Sequence, residues 1–155
     1  MTFDIGPTQS ETTDSGQWIV AASEQTGITR GVTSLKLYST TAALGALRAR
    51  NENWDGYGSA KPQNSAISAA MAYCGIFNEE LSNSPFAWSM PHVSSNEDGH
   101  VTLEWWSLAR KLTIYVTATK AKYIKVAGPN ITTDMEDGDI ETGQFRELWS
   151  WLRQG

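Results

Sequence analysis

Val101-Thr102-Leu103-Glu104-Trp105-Trp106 and Leu112-Thr113-Ile114-Tyr115-Val116-Thr117, separated by residues 107–111, decide the fold of this chain. In the first run Val101, Leu103 and Trp105 alternate with Thr102, Glu104 and Trp106. In the second, Leu112, Ile114 and Val116 alternate with Thr113, Tyr115 and Thr117. A period of two means extended chain with one apolar face. Working outward, Tyr123, Ile124 and Val126 read as a further strand. His92-Val93 reads as one more, ahead of the turn Asn96-Glu97-Asp98-Gly99. The connections are short, which predicts an antiparallel meander with one face on helices. In this register Trp106, Tyr115 and Thr117 stand on the face opposite the core.

On either side of the meander the period changes to that of a helix. Ser39 or Thr40 reads as the N-cap of a helix of about three turns. Leu44 and Leu47 share a face that reaches Trp54 a heptad later, and Arg48 and Arg50 lie near the C-terminal end, where they favour the helix dipole. A second helix spans roughly 65–81, opened by Asn64 or Ser65 after Pro62. Its stripe is Ile67, Met71, Cys74 and Phe77 or Ile76, with alanines at 66, 69, 70 and 72 for close packing. The clearest amphipathic pattern is the last one. Phe145, Leu148, Trp149 and Leu152 fall at i, i+3, i+4 and i+7 behind a Thr142 cap, and Trp151 falls off the stripe. Residues 128–130 and the acidic stretch Asp134 to Glu141 read as a loop. Residues 17–22 and 31–38 read as short strands, and residues 1–16 as a flexible polar tail ahead of a single domain over 17–155. The expected class is α+β: an antiparallel sheet of at least four strands, packed on one face by two to three helices.

Between the first two helices lies Asn53-Trp54-Asp55-Gly56-Tyr57-Gly58. Asp-Gly and Tyr-Gly are turn dipeptides, because glycine enters positive φ without a Cβ clash. The expected picture is a tight turn pinned to the domain by Trp54 and Tyr57. Asp55 before Gly56 is expected to bond the turn's own N–H groups.

Composition bounds the rest. The chain has 155 residues, 40% hydrophobic and 19% charged, which is enough for one buried core. Seven tryptophans exceed what such a core requires, leaving room for an exposed aromatic contact surface. Cys74 is the only cysteine, so no intramolecular disulfide can form. The net charge of -5 disfavours wholesale nucleic-acid binding. The charge is uneven, however. Arg110, Lys111, Lys120, Lys122 and Lys125 form a basic strip over 110–125, and acidic stretches flank it. No apolar run is long enough to span a bilayer. Residues 1–16 lack a charged start followed by an apolar segment, so the cytoplasm is the expected compartment.

The stretch from Leu44 to about Val126 resembles a group of small bacterial and mobile-element proteins. The resemblance rests on Asn53 to Gly58, Pro62, Pro91, Asp98-Gly99 and Glu104-Trp105. It covers about half the chain and implies a shared small α+β fold. It also implies a setting near toxin–antitoxin, phage and defence genes, and with it an antitoxin-like or anti-CRISPR-like inhibitory role.

Several constellations invite chemistry. Asp55 and Glu104 would make a carboxylate pair for a hydrolase if the fold brought them together. His92 and His100 flank one turn and read as parts of a surface hairpin, with no helical partner for a metal. Cys74 reads as core. The acidic stretch 134–141 misses the register of an EF-hand, and no phosphate loop, dinucleotide fingerprint or seryl elbow occurs. No cofactor or metal is expected. The leading expectation is a non-catalytic protein that binds and inhibits a protein partner. Trp106, Tyr115 and Trp151 would be its aromatic anchors, with Lys111, Lys120 and Lys122 beside them. The alternatives are a small hydrolase-like enzyme using Asp55 and Glu104, and a single-stranded nucleic-acid binder using the strip 110–125.

Overall fold

The computed structural model describes residues 35–154. The expected tail over 1–16, the expected strand at 17–22 and the first part of the one expected over 31–38 lie outside the described residues. Residues 35–46 form a helix, α1, which tightens into a 3-10 turn at Leu47–Ala49. The strand expected over 31–38 is therefore corrected at 35–38, and so is the cap at Ser39 or Thr40. Thr40 and Thr41 are interior helical residues whose hydroxyls donate to the carbonyls of Lys36 and Leu37, at 2.9 and 3.1 Å. Leu37, Thr40, Leu44 and Leu47 share the inward face. A polar residue in that stripe hides its period from an apolar count.

The helix stops before Trp54, so the heptad reaching that residue is also corrected. In the turn that follows, Asn53, Gly56 and Gly58 have φ of 59°, 80° and 85°. Asn53 Oδ1 accepts from the Gly58 N–H at 2.6 Å, and the Asn53 N–H donates to the Ser59 carbonyl at 2.8 Å. The chain then runs beside the turn between the first two strands: Ala60 N–H donates to the Glu97 carbonyl and Gln63 N–H to the Gly99 carbonyl. Gly99 has φ 81°, and a Cβ there would stand 2.6 Å from the Lys61 carbonyl oxygen, so only glycine permits this approach.

Helix α2, Asn64–Glu80, buries Ala66, Ile67, Ala70, Cys74 and Phe77. Of the two alternatives for the stripe's end, Phe77 is inside and Ile76 is half exposed. The cap position is Gln63, with no side-chain bond, in place of Asn64 or Ser65.

The sheet has five antiparallel strands in sequential order: β1 His92–Ser95, β2 Val101–Ser107, β3 Arg110–Val116, β4 Ala121–Val126 and β5 Met135–Asp139. The expected loop at 134–141 is thus corrected. After a short turn of helix, α3 Ile131–Asp134, the acidic residues form an edge strand. Glu136 lies opposite Lys125 and Asp139 opposite Lys122. Cross-strand charge, not apolar alternation, marks this strand, and charged edges discourage further pairing.

Helix α4, Gln144–Arg153, buries Phe145, Leu148, Trp149 and Leu152, as its spacing predicts. Its N-cap is Gly143 in the left-handed region, one residue past the expected Thr142. With α1 and α2 it buries one face of the sheet. There Val101, Leu103, Trp105, Leu112, Ile114 and Val116 meet the helical stripes in one core. Aromatic rings fill its centre: Phe77 stacks on Phe145 at 4.2 Å between centroids, and Trp105 meets Trp149 edge-on at 5.4 Å. The fold is α+β, with a sheet covered on one side by helices.

Candidate partner-binding face

No described helix covers the other side of the sheet. Strand register assigns its residues in rows. Trp106, Lys111, Val126 and Met135 make one row across β2 to β5. His92, Glu104, Thr113, Ile124 and Asp137 make the next, and Ser94, Thr102, Tyr115, Lys122 and Asp139 the third. Thr102 and Thr113 face this side and are nevertheless buried. Trp106 projects beyond them with 57% of its surface exposed, and Met135 at the end of its row is 40% exposed.

Lys111 connects the first two rows. Its ammonium is 3.1 Å from Glu104 Oε2 and 5.1 Å from the centre of the Trp106 ring. The cation is paired with the carboxylate while it lies over the indole, a favourable contact with the ring face. The His92 ring is 6.3 Å from Trp106. At the far end of the face Tyr115, Lys120 and Lys122 line a shallow cleft of about 380 Å³, with His100, Thr117 and Ile124.

Five of the six expected contact residues therefore belong to this face or its edge: Trp106, Tyr115, Lys111, Lys120 and Lys122. Trp106 and Tyr115 lie at opposite ends of it. Trp151 is on the other side of the sheet. Its half-buried ring lies 5.1 Å from the Arg110 guanidinium and 5.2 Å from Lys125 Nζ. Met135, Val126 and His92 complete the face. No apolar alternation marks β5, because acids stand on both of its faces, so its contribution to this face is not legible in the sequence.

The basic strip is largely paired. Lys122 meets Asp139 at 3.6 Å and Lys125 meets Glu136 at 3.1 Å, besides the Lys111–Glu104 pair. Tyr123 also donates to Glu136 at 2.8 Å. That bond, and then Lys125, hold the Glu136 carboxyl below its ordinary range, and the same carboxylate raises the Tyr123 phenol.

Asp55 sits in the motif turn. Its Oδ1 accepts from the N–H groups of Tyr57 and Ser59, and its Oδ2 accepts from the Ser59 hydroxyl at 2.5 Å. The Ser59 hydroxyl, and then the Tyr57 N–H, lower its pKa from the ordinary carboxylate value. Such an acid is held as a carboxylate and occupied locally, as Asp before Gly predicts. Glu104 is engaged by Lys111. The described clefts are lined by neither Asp55 nor Glu104. Of the motif's aromatics, Trp54 is half-buried, donates to the Ala60 carbonyl and carries Arg50 at 4.0 Å over its ring. Tyr57 is 92% exposed, which corrects its expected anchoring role. Burial pushes the Cys74 thiol up to about 12, so it is protonated at neutral pH.

Comparison of the chain with protein-family models, with curated proteins and with solved structures finds no match.

Proposed function

We propose that this chain is a non-catalytic binding protein that engages a protein partner through the face of its sheet that no described helix covers, and thereby inhibits or neutralises it. The observation that carries this reading is Trp106. A large apolar ring, 57% exposed, stands beside Lys111 and His92 at one end of a face that no described helix covers. Burying such a ring against a partner removes apolar surface from water. The setting implied by the family resemblance, antitoxin-like or phage-inhibitor-like, belongs to the same proposal, as does a cytoplasmic location. Among the described residues no helix is long and apolar enough to cross a membrane.

The enzymatic alternative loses its support in the occupied Asp55 and the paired Glu104. The nucleic-acid alternative is weakened because Lys111, Lys122 and Lys125 each already face a carboxylate.

The test is affinity capture from bacterial lysate at low and high salt, with nuclease, comparing the wild type with Trp106→Ala. The expected outcome is one stoichiometric protein retained at high salt by the wild type and lost by the variant. Material that is salt-labile and nuclease-sensitive points to nucleic acid instead. A partner held equally by the variant removes the contact from this face.

A further inference from the structure

A second cleft, of about 670 Å³, lies on the helix side of the sheet, away from Trp106. Its walls include Ser84, Arg110, Arg146, Glu147, Ser150 and Trp151. Arg110 begins β3 with the same facing as Leu112, toward the helices. It is half-buried, and one of its N–H groups donates to the Trp151 carbonyl. Among the described residues neither Arg110 nor Arg146 forms an ion pair, whereas three of the chain's lysines do. Glu147 is the one carboxylate on the wall; it is exposed and pairs with neither arginine.

The remaining polar groups also have hydrogens to give. The Ser84 oxygen accepts from the Phe86 N–H, and the Ser150 oxygen accepts from the Gln154 amide, so both hydroxyl hydrogens are free to donate. Two guanidinium groups and two hydroxyl donors thus line one concavity of a size that holds small ligands. A half-buried guanidinium without a carboxylate keeps most of its fork of donors unused. Planar, bidentate recognition of an oxyanion is the chemistry that fork fits best.

We propose that this cleft binds a small organic oxyanion, a carboxylate or phosphate group held by Arg110 and Arg146, with Ser84 and Ser150 donating to it. The site is independent of the partner-binding face.

The test is an NMR titration of the full chain with phenyl phosphate and, separately, phenylacetate, against sodium chloride at matched ionic strength. Saturable shifts are expected at the Arg110 and Arg146 side chains and at the backbone of Ser150 and Trp151. Binding should weaken roughly tenfold in Arg146→Gln and in Arg110→Lys, since each loses charge-assisted bonds. Arg146 is exposed, so its variant reports even where Arg110→Lys perturbs the packing of Trp151. Trp106→Ala should bind the anion unchanged. Saturation by phenyl phosphate alone assigns a phosphate ligand, and by phenylacetate alone a carboxylate. Shifts no larger than those from chloride, or saturable binding unaltered by Arg146→Gln, overturn the proposal.

Discussion

At the scale of single residues, Asp55 shows how an acid that looks available for catalysis is consumed by its own turn. It accepts from Tyr57, from the Ser59 backbone and from the Ser59 hydroxyl. Its native pKa is lowered, so its contribution to stability is complete above the ordinary carboxylate range and is lost as the pH falls through the lowered value. Asp55→Ala is therefore expected to melt below the wild type at neutral pH, and the two melting curves should converge in acid. A gap that persists unchanged in acid would show that the carboxylate's charge plays no part. Two buried tryptophans make a second comparison. Trp88 Nε1 donates to Thr40 Oγ1 at 3.3 Å, whereas Trp149 Nε1 has no partner. Both rings lose similar volume on replacement by Phe. Trp88→Phe should nevertheless cost about 1 kcal/mol more than Trp149→Phe in chemical denaturation, because it loses the bond to Thr40, whose hydroxyl keeps only its donation to the Lys36 carbonyl, whereas Trp149→Phe removes an N–H that has no partner. Equal losses would mean that the Trp88 bond contributes nothing net.

At the scale of elements, α4 and β5 differ in what holds them. Helix α4 is held by its apolar stripe. Leu148→Ala should cost about 3 kcal/mol by opening a cavity in the core. Trp54 lies outside any helix and is only half-buried, so Trp54→Ala should cost less, about 1–2 kcal/mol, from its hydrogen bond and its partial burial. The reverse order would place the core at the motif turn. Strand β5 is held by ladder bonds and cross-strand charge. Exposed pairs of this kind contribute below about 1 kcal/mol each, so Glu136→Gln, which loses the pair with Lys125 but keeps an acceptor for the Tyr123 hydroxyl, should barely move the midpoint of global unfolding. It should instead speed amide exchange in β5 while β2 and β3 stay protected. Uniform acceleration through the sheet would show that β5 opens only with the whole domain. The same difference explains legibility. Phe145, Leu148, Trp149 and Leu152 announce α4 because burial selects apolar residues at helical spacing. Met135 to Asp139 hide β5 because an edge strand buries almost nothing. The start of α1 is not legible in the apolar pattern, because Thr40 occupies a core position by bonding to its own helix.

At the scale of the whole molecule, the sheet separates two kinds of surface. One face carries the aromatic core, and the other carries Trp106 with its ring exposed. Trp106→Ala should leave the melting temperature nearly unchanged, within about 0.5 kcal/mol in stability, while abolishing partner capture. A large loss of stability would instead make Trp106 a structural residue and remove the main support for the binding reading. Trp105 and Trp106 are adjacent and chemically identical, yet the pleat sends one into the core and the other outward. Alternation along β2 and β3 was enough to separate them, and spacing was enough to place the last helix, because both signals come from contacts local in sequence. The residues that share a face with Trp106 are another matter. His92, Lys111, Val126 and Met135 come from four different strands, and Trp151, expected with Trp106 among the contact anchors, lies on α4 on the other side of the sheet. Which side chains meet across a sheet depends on register and on the order of strands, and these are settled by packing between segments far apart in the chain. The amino-acid sequence by itself determined the α+β class, the meander and the buried helical stripes. Only the tertiary structure decided that the acids of β5 would pair with Lys122 and Lys125 of the basic strip, that Asp55 and Glu104 would each be occupied by a partner, and that Arg110 and Arg146 would share a cleft.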